Sequence, residues 1–150
     1  MPTSTDLIKK LRVQTKAGIM ECRQALEESG GDIGKAKKWL TKKGLSKAAK
    51  KAERTTKAGL VEAYIHAGGM VGAMVKLTCE TDFVARNKEF KKLAHEIAMQ
   101  VAATNPRDTK VLLKQEYIRD PSKKIGDLVK TAIAKLGENI KVEKVIRFKV

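Results

Sequence analysis

The side chains best suited to catalytic or metal chemistry are few in this sequence and far apart. His66, His95, Cys22 and Cys79 each occur without a partner at a catalytic or metal-ligand spacing. The glycine cluster over residues 68–72 precedes a predicted strand, whereas a phosphate-binding loop precedes a helix. The sequence therefore predicts a protein that is not an enzyme and has no metal or cofactor of its own. The two separated cysteines indicate reduced thiols.

One short segment, Thr81–Val84, places an acid and an aromatic residue at a change of secondary structure. It follows a predicted buried strand and precedes a predicted helix. Phe83 at such a corner is either a plug in the core or an exposed wedge. Asp82 is either a cap for the following backbone amides or an acid offered to a partner. The local pattern leaves both alternatives open.

Three short helices are predicted at the N-terminus. The first begins near Thr3 or Ser4, with Asp6 completing a Ser/Thr-x-x-acid start signal. The second covers about residues 19–29, and the third follows Asp32 and ends at Gly44. Their inward positions are predicted to include Leu7, Ile8, Leu11, Cys22, Ala25, Leu26, Ile33, Ala36 and Leu40. A bundle this small has little core, so we expect it to present a surface.

Residues 45–57 form a basic, alanine-rich connector between this module and the rest of the chain. The pattern predicts a helix without a strong apolar stripe, and hence a linker or a solvated arm. We place the helical module at residues 1–45, the connector at 46–58 and a second domain at 59–150.

A β-hairpin is the clearest pattern in the second domain. Alternation begins at Leu60, and Gly68 and Gly69 predict a two-residue turn, because type I′ turns need positive φ at both positions. The return strand is predicted to place one set of side chains on a single face: Val71, Ala73, Val75, Leu77 and Cys79.

Two helices and a last strand complete the second domain. Helices are predicted over about 87–104 and 126–136, and 107–124 is expected to be irregular or briefly helical. In that stretch we expect Leu112, Leu113, Tyr117 and Ile118 to be packed. In the last strand, one face is predicted to carry the apolar side chains of Ile140, Val142, Ile146, Phe148 and Val150.

These elements predict an α+β fold. A three-helix bundle and a basic linker helix precede a small three-stranded antiparallel sheet, which packs on two helices. The net charge of +15 favours polyanions or acidic protein surfaces as partners. No stretch approaches the ~20 apolar residues that span a bilayer, and no signal-peptide pattern is present. We therefore expect a cytoplasmic protein without a membrane partner.

The segment Cys79–Asn87 resembles the Thr-Asp-Phe-Val-Ala signature of bacterial elongation factor Ts. Further segments resemble the same family in the same order: 11–26 (L-R-x-x-T-x-A-G-I-M-x-C-x-x-A-L), 30–33, 47–52 and 133–140. The resemblance extends over nearly the whole chain. The family implies a UBA-like (ubiquitin-associated-like) helical module followed by a core domain of the dimerisation type.

The resemblance implies a guanine-nucleotide exchange factor for elongation factor Tu, which it would meet in the GDP-bound and nucleotide-free states. The residues implied to displace the partner's magnesium are Thr81, Asp82, Phe83 and Val84. Those implied to hold a separate partner helix are Leu11, Arg12, Ile19, Met20 and Arg23. From the residues alone, Ile19 and Met20 could instead belong to the bundle core, and Arg12 could be a plain solvated charge.

The sequence departs from the family in two ways. Lys16 stands where the family usually has glycine. The chain is also short, since longer members carry a second core subdomain and a protruding helical hairpin. A factor with one core could pair as a homodimer through the exposed face of its sheet.

Two other functions remain open at the level of sequence. The charge suits a nucleic-acid-binding protein, although basic residues are scattered and no aromatic stacking platform is visible, so RNA contact is not expected to be specific. The N-terminal module also resembles ubiquitin-associated domains in its size and its Gly18–Met20 loop, which would suit an adaptor for ubiquitin-like partners.

Overall fold

The computed structural model describes residues 3–150. Three helices come first: α1 (Thr5–Thr15), α2 (Ile19–Glu28) and α3 (Ile33–Lys51). The hairpin β1 (Ala58–Ile65) and β2 (Val71–Cys79), the single-turn helix α4 (Asp82–Ala85) and the long helix α5 (Lys88–Thr104) follow. Helix α6 (Thr109–Lys114), the ribbon β3 (Glu116–Tyr117) and β4 (Asp120–Lys124), helix α7 (Ile125–Leu136) and strand β5 (Ile140–Lys149) complete the fold. The α+β prediction is confirmed.

The three predicted N-terminal helices are present, and their ends follow from capping side chains. The Ser4 hydroxyl accepts a hydrogen bond from the Leu7 amide at 3.2 Å, and Asp32 accepts one from the Lys35 amide at 2.9 Å. Ser4, and not Thr3, is therefore the cap of α1. The bundle core consists of Leu11, Cys22, Ala25, Leu26 and Ala36, all fully buried.

Helix α3 does not end at Gly44, so that prediction is wrong. It continues to Lys51, and Ala48 is buried in the core of the second domain. A Cβ at Gly44 would lie 3.2 Å from the Cβ of Ala134, which is tighter than ordinary packing. The glycine thus allows α3 to approach α7 closely, and residues 45–51 are packed helix, not a solvated arm.

The sheet of the second domain has the strand order β1-β2-β5, and both pairings are antiparallel. The predicted inward face of β2 is confirmed, since Ala73, Val75, Leu77 and Cys79 are buried. Helix α5 covers this face with Phe90, Leu93, Ile97 and Val101, and α7 adds Val129 and Ile133. This apolar layer is the main core and supports the end of β2.

The hairpin is confirmed, but its turn is longer than predicted. The His66 amide donates to the Val71 carbonyl at 2.8 Å, which leaves four residues in the loop. Gly68 and Gly69 do have positive φ, 81° and 74°. They lie in a 3₁₀ turn and not in a two-residue type I′ turn.

The prediction that the last strand places its apolar residues on one face is wrong for the second half of β5. Lys76 pairs with Lys144 and Leu77 with Val142, so one extra residue, Glu143, forms a bulge. The bulge reverses the alternation, because side chains in a strand point to opposite faces with period two. Ile140 and Val142 therefore face the core, whereas Ile146 and Phe148 face outward. We call the exposed apolar side chains Val61, Ile65, Met74, Ile146 and Phe148 the outer sheet face.

Residues 107–124 are more regular than predicted, because they form α6 and the β3–β4 ribbon. Leu112 is buried and Leu113 and Tyr117 are half-buried, as expected. Ile118 is exposed, contrary to the prediction. The buried side chain of Gln100 holds the ribbon by accepting from the Ile118 amide at 3.0 Å and donating to the Glu116 carbonyl at 3.0 Å.

Candidate partner-binding site

The strand-to-helix corner is built by two consecutive helix caps. The Thr81 hydroxyl accepts from the Val84 amide at 3.4 Å and begins α4, and the Asn87 side chain accepts from the Glu89 amide at 2.8 Å and begins α5. Between them α4 makes a single turn. Val84 and Ala85 occupy its inward positions and are buried in the main core.

Phe83 consequently points away from the core and is 86% exposed. The alternative of a core plug is therefore wrong. Asp82 is also exposed, at the first position of α4, and the cap of that helix is Thr81. The corner thus presents a carboxylate and a phenyl ring to solvent. Val84, also predicted to contact a partner, is 6% exposed and packs in the main core.

Glu138, in the turn between α7 and β5, holds the backbone of the corner. Its Oε1 accepts from the Glu80 amide at 3.1 Å and the Thr81 amide at 2.9 Å, and its Oε2 accepts from the Thr81 hydroxyl at 2.7 Å. Hydrogen bonds to a carboxylate are among the stronger ones in proteins. The matching segment 133–140 includes Glu138, but the sequence pattern did not indicate this role.

The thiol of Cys79 lies buried beneath the corner and donates to the Thr81 carbonyl at 3.2 Å. Burial raises the pKa of Cys79, and the nearby carboxylates of Glu138 and Asp82 raise it further. The thiolate is disfavoured for these reasons. Cys79 is therefore a packing residue of the corner.

The N-terminal module exposes a second set of predicted contact residues. Met20 is 70% exposed and Ile19 is 53% exposed, so neither belongs to the bundle core. Arg12 is exposed, and Arg23 is exposed in an ion pair with Glu27 at 2.9 Å. Leu11, also predicted to contact the partner, is fully buried in the bundle core.

Val13 is a further exposed apolar residue of this module that sequence reasoning missed. Val13 falls at an unspecified position of the matching segment 11–26, so the motif gave no signal, and only its exposure on α1 shows it. The first turn of α2, which carries Ile19 and Met20, is connected to α3 through Glu21, which accepts from the Gly18 amide at 3.4 Å and pairs with Lys47. The bond to Lys47 lowers the pKa of Glu21.

The backbone at Lys16 has the left-handed conformation that glycine adopts most easily. Its φ is 59°, in the left-handed region, where it ends α1 and donates its amide to the Arg12 carbonyl at 2.8 Å. A side chain costs about 1 kcal/mol or more in this conformation. The departure from the family pattern thus affects the stability of the loop next to Ile19 and Met20.

Among residues 3–150, no three His, Cys, Asp or Glu side chains lie where they could hold a metal ion. His95 lies 3.7 Å from a carboxylate oxygen of Glu62 and packs edge-on against Tyr64. His95 therefore belongs to a local cluster with Glu62 and Tyr64.

No helix in the described part of the chain combines the length and the apolar character needed to cross a membrane.

Comparison with known proteins shows similarity over the whole chain, including this corner. The family model described as Elongation factor TS matches residues 80–150, which begin at this corner. Elongation factor Ts of Coprothermobacter proteolyticus is 42% identical, with 99% of this chain and 98% of the relative covered. That of Oleidesulfovibrio alaskensis is 43% identical, with 96% of each covered, and that of Thermotoga neapolitana 42%, with 100% and 98% covered.

The first of these alignments is 193 positions long, 43 more than the 150 residues of this chain. The chain is therefore a shortened form that keeps both the N-terminal module and the corner. Identity above 40% over nearly the whole of each sequence establishes the relationship. The chain belongs to the elongation factor Ts family of translation elongation factors.

Proposed function

We propose that this protein is the guanine-nucleotide exchange factor of elongation factor Tu and that Asp82 and Phe83 carry the exchange. The observation that supports this most directly is the 86% exposure of Phe83 on a corner whose other apolar residues are buried. A phenyl ring contributes about 1.5–3 kcal/mol when it leaves water. In the free protein Phe83 gains little of this, so it is available to a partner.

The proposed exchange begins when the corner enters the nucleotide domain of elongation factor Tu next to its magnesium. Phe83 takes an apolar position between partner helices, and the carboxylate of Asp82 competes for groups that orient the metal's ligands. Loss of the ion leaves the phosphates of GDP without their countercharge, and GDP dissociates. The free energy of burying Phe83 offsets part of the cost of displacing the partner's switch region.

Thermodynamic linkage limits this mechanism. If the protein weakens GDP binding by some factor, GDP weakens binding of the protein by the same factor. The nucleotide-free partner is therefore bound most tightly. Which nucleotide binds next depends on relative affinity and concentration.

We assign the second contact to the N-terminal module. Ile19, Met20 and Arg12 are exposed and would hold a separate helix of the partner, with Arg23 at the edge of the contact. Buried Leu11 maintains the shape of this surface. Two separated contacts on one rigid factor allow parts of the partner to be moved relative to each other.

The decisive experiment is release of labelled GDP from elongation factor Tu, measured over a range of factor concentrations. Phe83→Ala should lower the maximal rate by about 30- to 1,000-fold, the effect of losing a binding hot spot of 2–4 kcal/mol. The melting temperature should stay unchanged because the ring makes few contacts in the free protein.

Ile118→Ala is the control, because it removes an exposed apolar side chain that lies outside the corner, the N-terminal module and the outer sheet face. Its maximal rate should equal that of the wild type. A wild-type rate for Phe83→Ala would contradict the proposed role of the corner. No stimulation by the unaltered protein would contradict the proposed function itself.

We further propose that the outer sheet face pairs with the same face of a second copy. Five apolar side chains of three adjacent strands are exposed there, and soluble monomers rarely expose a large contiguous apolar patch. Two such faces related by a twofold axis would pack as stacked sheets. Sedimentation equilibrium should show a concentration-dependent dimer that Phe148→Asp abolishes, and a monomer at all concentrations would contradict this pairing.

The charge of +15 suggests that any RNA contact is non-specific. Helix α3 contains eight lysines and no acidic residue, which favours contact with phosphates of any sequence. The exposed rings of Phe83 and Phe148 lie on separate surfaces and form no stacking platform for bases. RNA affinity should therefore fall steeply with salt. The adaptor alternative is less favoured, because similarity to elongation factor Ts extends over both the module and the core.

A further inference from the structure

Three distant chain segments meet beneath the corner. They are the end of α3 with the residues after it (51–56), the end of β2 with the corner (78–81), and the turn between α7 and β5 (137–139). We call this meeting point the junction. Its contacts join the helix that carries the N-terminal module to the backbone that carries Phe83.

On the corner side of the junction, Glu138 accepts three hydrogen bonds of 2.7–3.1 Å from Glu80 and Thr81. Two come from successive backbone amides, so the carboxylate determines the direction in which the chain leaves β2. Because α4 begins at the next residue, the same contacts determine the direction of Phe83.

On the other side of the junction, Asn139 is 2% exposed and donates from Nδ2 to the carbonyls of Ala52 and Arg54, at 3.3 and 2.7 Å. The backbone amide of Asn139 donates to the Glu80 carboxylate at 3.1 Å. The Arg54 guanidinium lies 3.6 Å from the same carboxylate oxygen. Asn139 and Glu80 thus each contact both the residues after α3 and the other of the pair, and together they connect the end of α3 to the corner.

Two outer contacts complete the junction. Lys51 donates to the Gly137 carbonyl at 2.9 Å, and the hydroxyls of Thr56 and Thr78 lie 2.8 Å apart. Helix α3 reaches Lys51 without a break, and Ala36 at its beginning lies in the bundle core. A continuous helix and a set of hydrogen bonds therefore connect the bundle to the corner, with no free linker between them.

We propose that Glu138 and Asn139 are positioning residues for exchange, which hold Phe83 at a fixed place relative to the N-terminal module so that both contacts act on the partner as one rigid body. This inference rests on the proposed function. A side chain that displaces part of a partner needs a stiff base, since otherwise the corner yields instead of the partner. A preorganised contact also avoids the entropy cost of ordering on binding.

Replacing Glu138 tests the corner side of the junction. Glu138→Ala should lower the maximal rate of stimulated GDP release about tenfold while the half-saturating factor concentration changes less than about twofold, since the N-terminal contact is intact. Glu138→Gln keeps an acceptor for both amides and should recover most of the rate. Glu116→Ala, which removes an exposed glutamate outside the junction and without an ion pair in the described chain, is the matched control.

Amide hydrogen exchange provides a readout that does not depend on activity. In Glu138→Ala the amides of Glu80 and Thr81 should exchange faster, while amides in the middle of β2 keep their protection. Loss of protection throughout β2 would mean that Glu138 only stabilises the fold. A wild-type maximal rate for Glu138→Ala would overturn the proposal.

A double-mutant cycle tests the link between the two contacts. In the wild-type background Met20→Ala should change the maximal rate as well as half-saturation, whereas in Asn139→Ala it should change half-saturation alone. The combined effect on maximal rate should depart from the product of the single effects by about threefold or more. Multiplicative effects would overturn the coupling.

Two checks keep these results interpretable. If Asn139→Ala unfolds at the assay temperature, Arg54→Gln replaces it, because that side chain is exposed and contacts only the edge of the junction. If the unaltered protein does not stimulate GDP release, the proposed function fails, and if Phe83→Ala exchanges like the wild type, the proposed role of the corner fails. If Phe83→Ala is inactive and Glu138→Ala is fully active, the positioning inference alone fails.

Discussion

The two partner-facing loops of this protein are each held by one glutamate, but with unequal strength. Glu138 accepts three hydrogen bonds of 2.7–3.1 Å at the corner that carries Phe83. Glu21 accepts one backbone bond of 3.4 Å at the loop that carries Met20, and pairs with Lys47. Bonds near 2.9 Å are close to optimal and bonds near 3.4 Å are weak. The corner is therefore the stiffer of the two.

Their supporting cores differ in the same sense. Among the described residues, the corner rests on Val84 and Ala85 in a core of nineteen buried residues, whereas the start of α2 rests on a bundle core of five. A small core gives marginal stability. The comparison suggests a division of work, in which the corner displaces partner structure and the N-terminal module provides affinity.

The largest effect expected after that of Phe83 is at Asp82. Asp82→Ala should lower the maximal exchange rate about 10- to 100-fold, because a charged hydrogen-bonding group contributes about 1.5–3 kcal/mol. The melting temperature should change little, since Thr81 supplies the cap. Asp6→Ala, which removes another acid from the first turn of a helix, is the control. A large loss of stability with normal exchange would mean that Asp82 only supports the helix.

Met20 sharpens the division of work. Met20→Ala should raise the half-saturating factor concentration about 5- to 30-fold, from the loss of 1–2 kcal/mol of apolar burial in the complex. Any fall in maximal rate should be much smaller than that for Phe83→Ala. Ile118→Ala, another exposed apolar residue, should leave both parameters unchanged. A rate defect as large as that of Phe83→Ala would remove the distinction between the loops.

Lys16 offers a way to strengthen the weaker loop. Lys16→Gly should raise the free energy of unfolding of the N-terminal module by about 1 kcal/mol, because glycine has no Cβ penalty at φ 59°. Urea denaturation followed by Trp39 fluorescence measures this. Asn105→Gly is a matched change at φ 47° and should gain less, since asparagine tolerates this region. No gain at Lys16 would show that the loop is already relaxed.

The smallest effect concerns pH. The pKa of Glu21 is lowered in the folded protein by its hydrogen bond to Lys47, so its contribution is present above the unfolded value near 4.5 and is lost as pH falls through the folded pKa. Partial exposure limits it to about 1 kcal/mol or less. The melting temperature of wild type and Glu21→Gln, measured from pH 7 downward, should differ at neutral pH and converge below about 4.5. A difference that is independent of pH would contradict this assignment.

Elements with strong local signals could be predicted well. Helix α5 begins after the cap Asn87 and ends before Pro106, and β2 alternates cleanly, so the predicted bounds and buried face were confirmed. Predictions failed where a distant contact outweighs the local signal. Gly44 predicts a helix end, but it lies inside α3, where the absence of a Cβ lets α7 approach closely. The bulge at Glu143 reverses the later half of β5, and one extra residue cannot be seen in an alternating pattern.

The same division applies to the candidate site. By itself the sequence determined that a strand ends and a helix begins around Thr81, because capping side chains and apolar alternation act over a few residues. Tertiary structure decided that Phe83 points outward, since α5 and β2 fill the core below it and leave the inward positions to Val84 and Ala85. It also decided that Glu138, 57 residues further along the chain, holds the corner. Hydrogen bonds between such distant residues leave no periodic pattern in a sequence, because only the folded backbone brings them together.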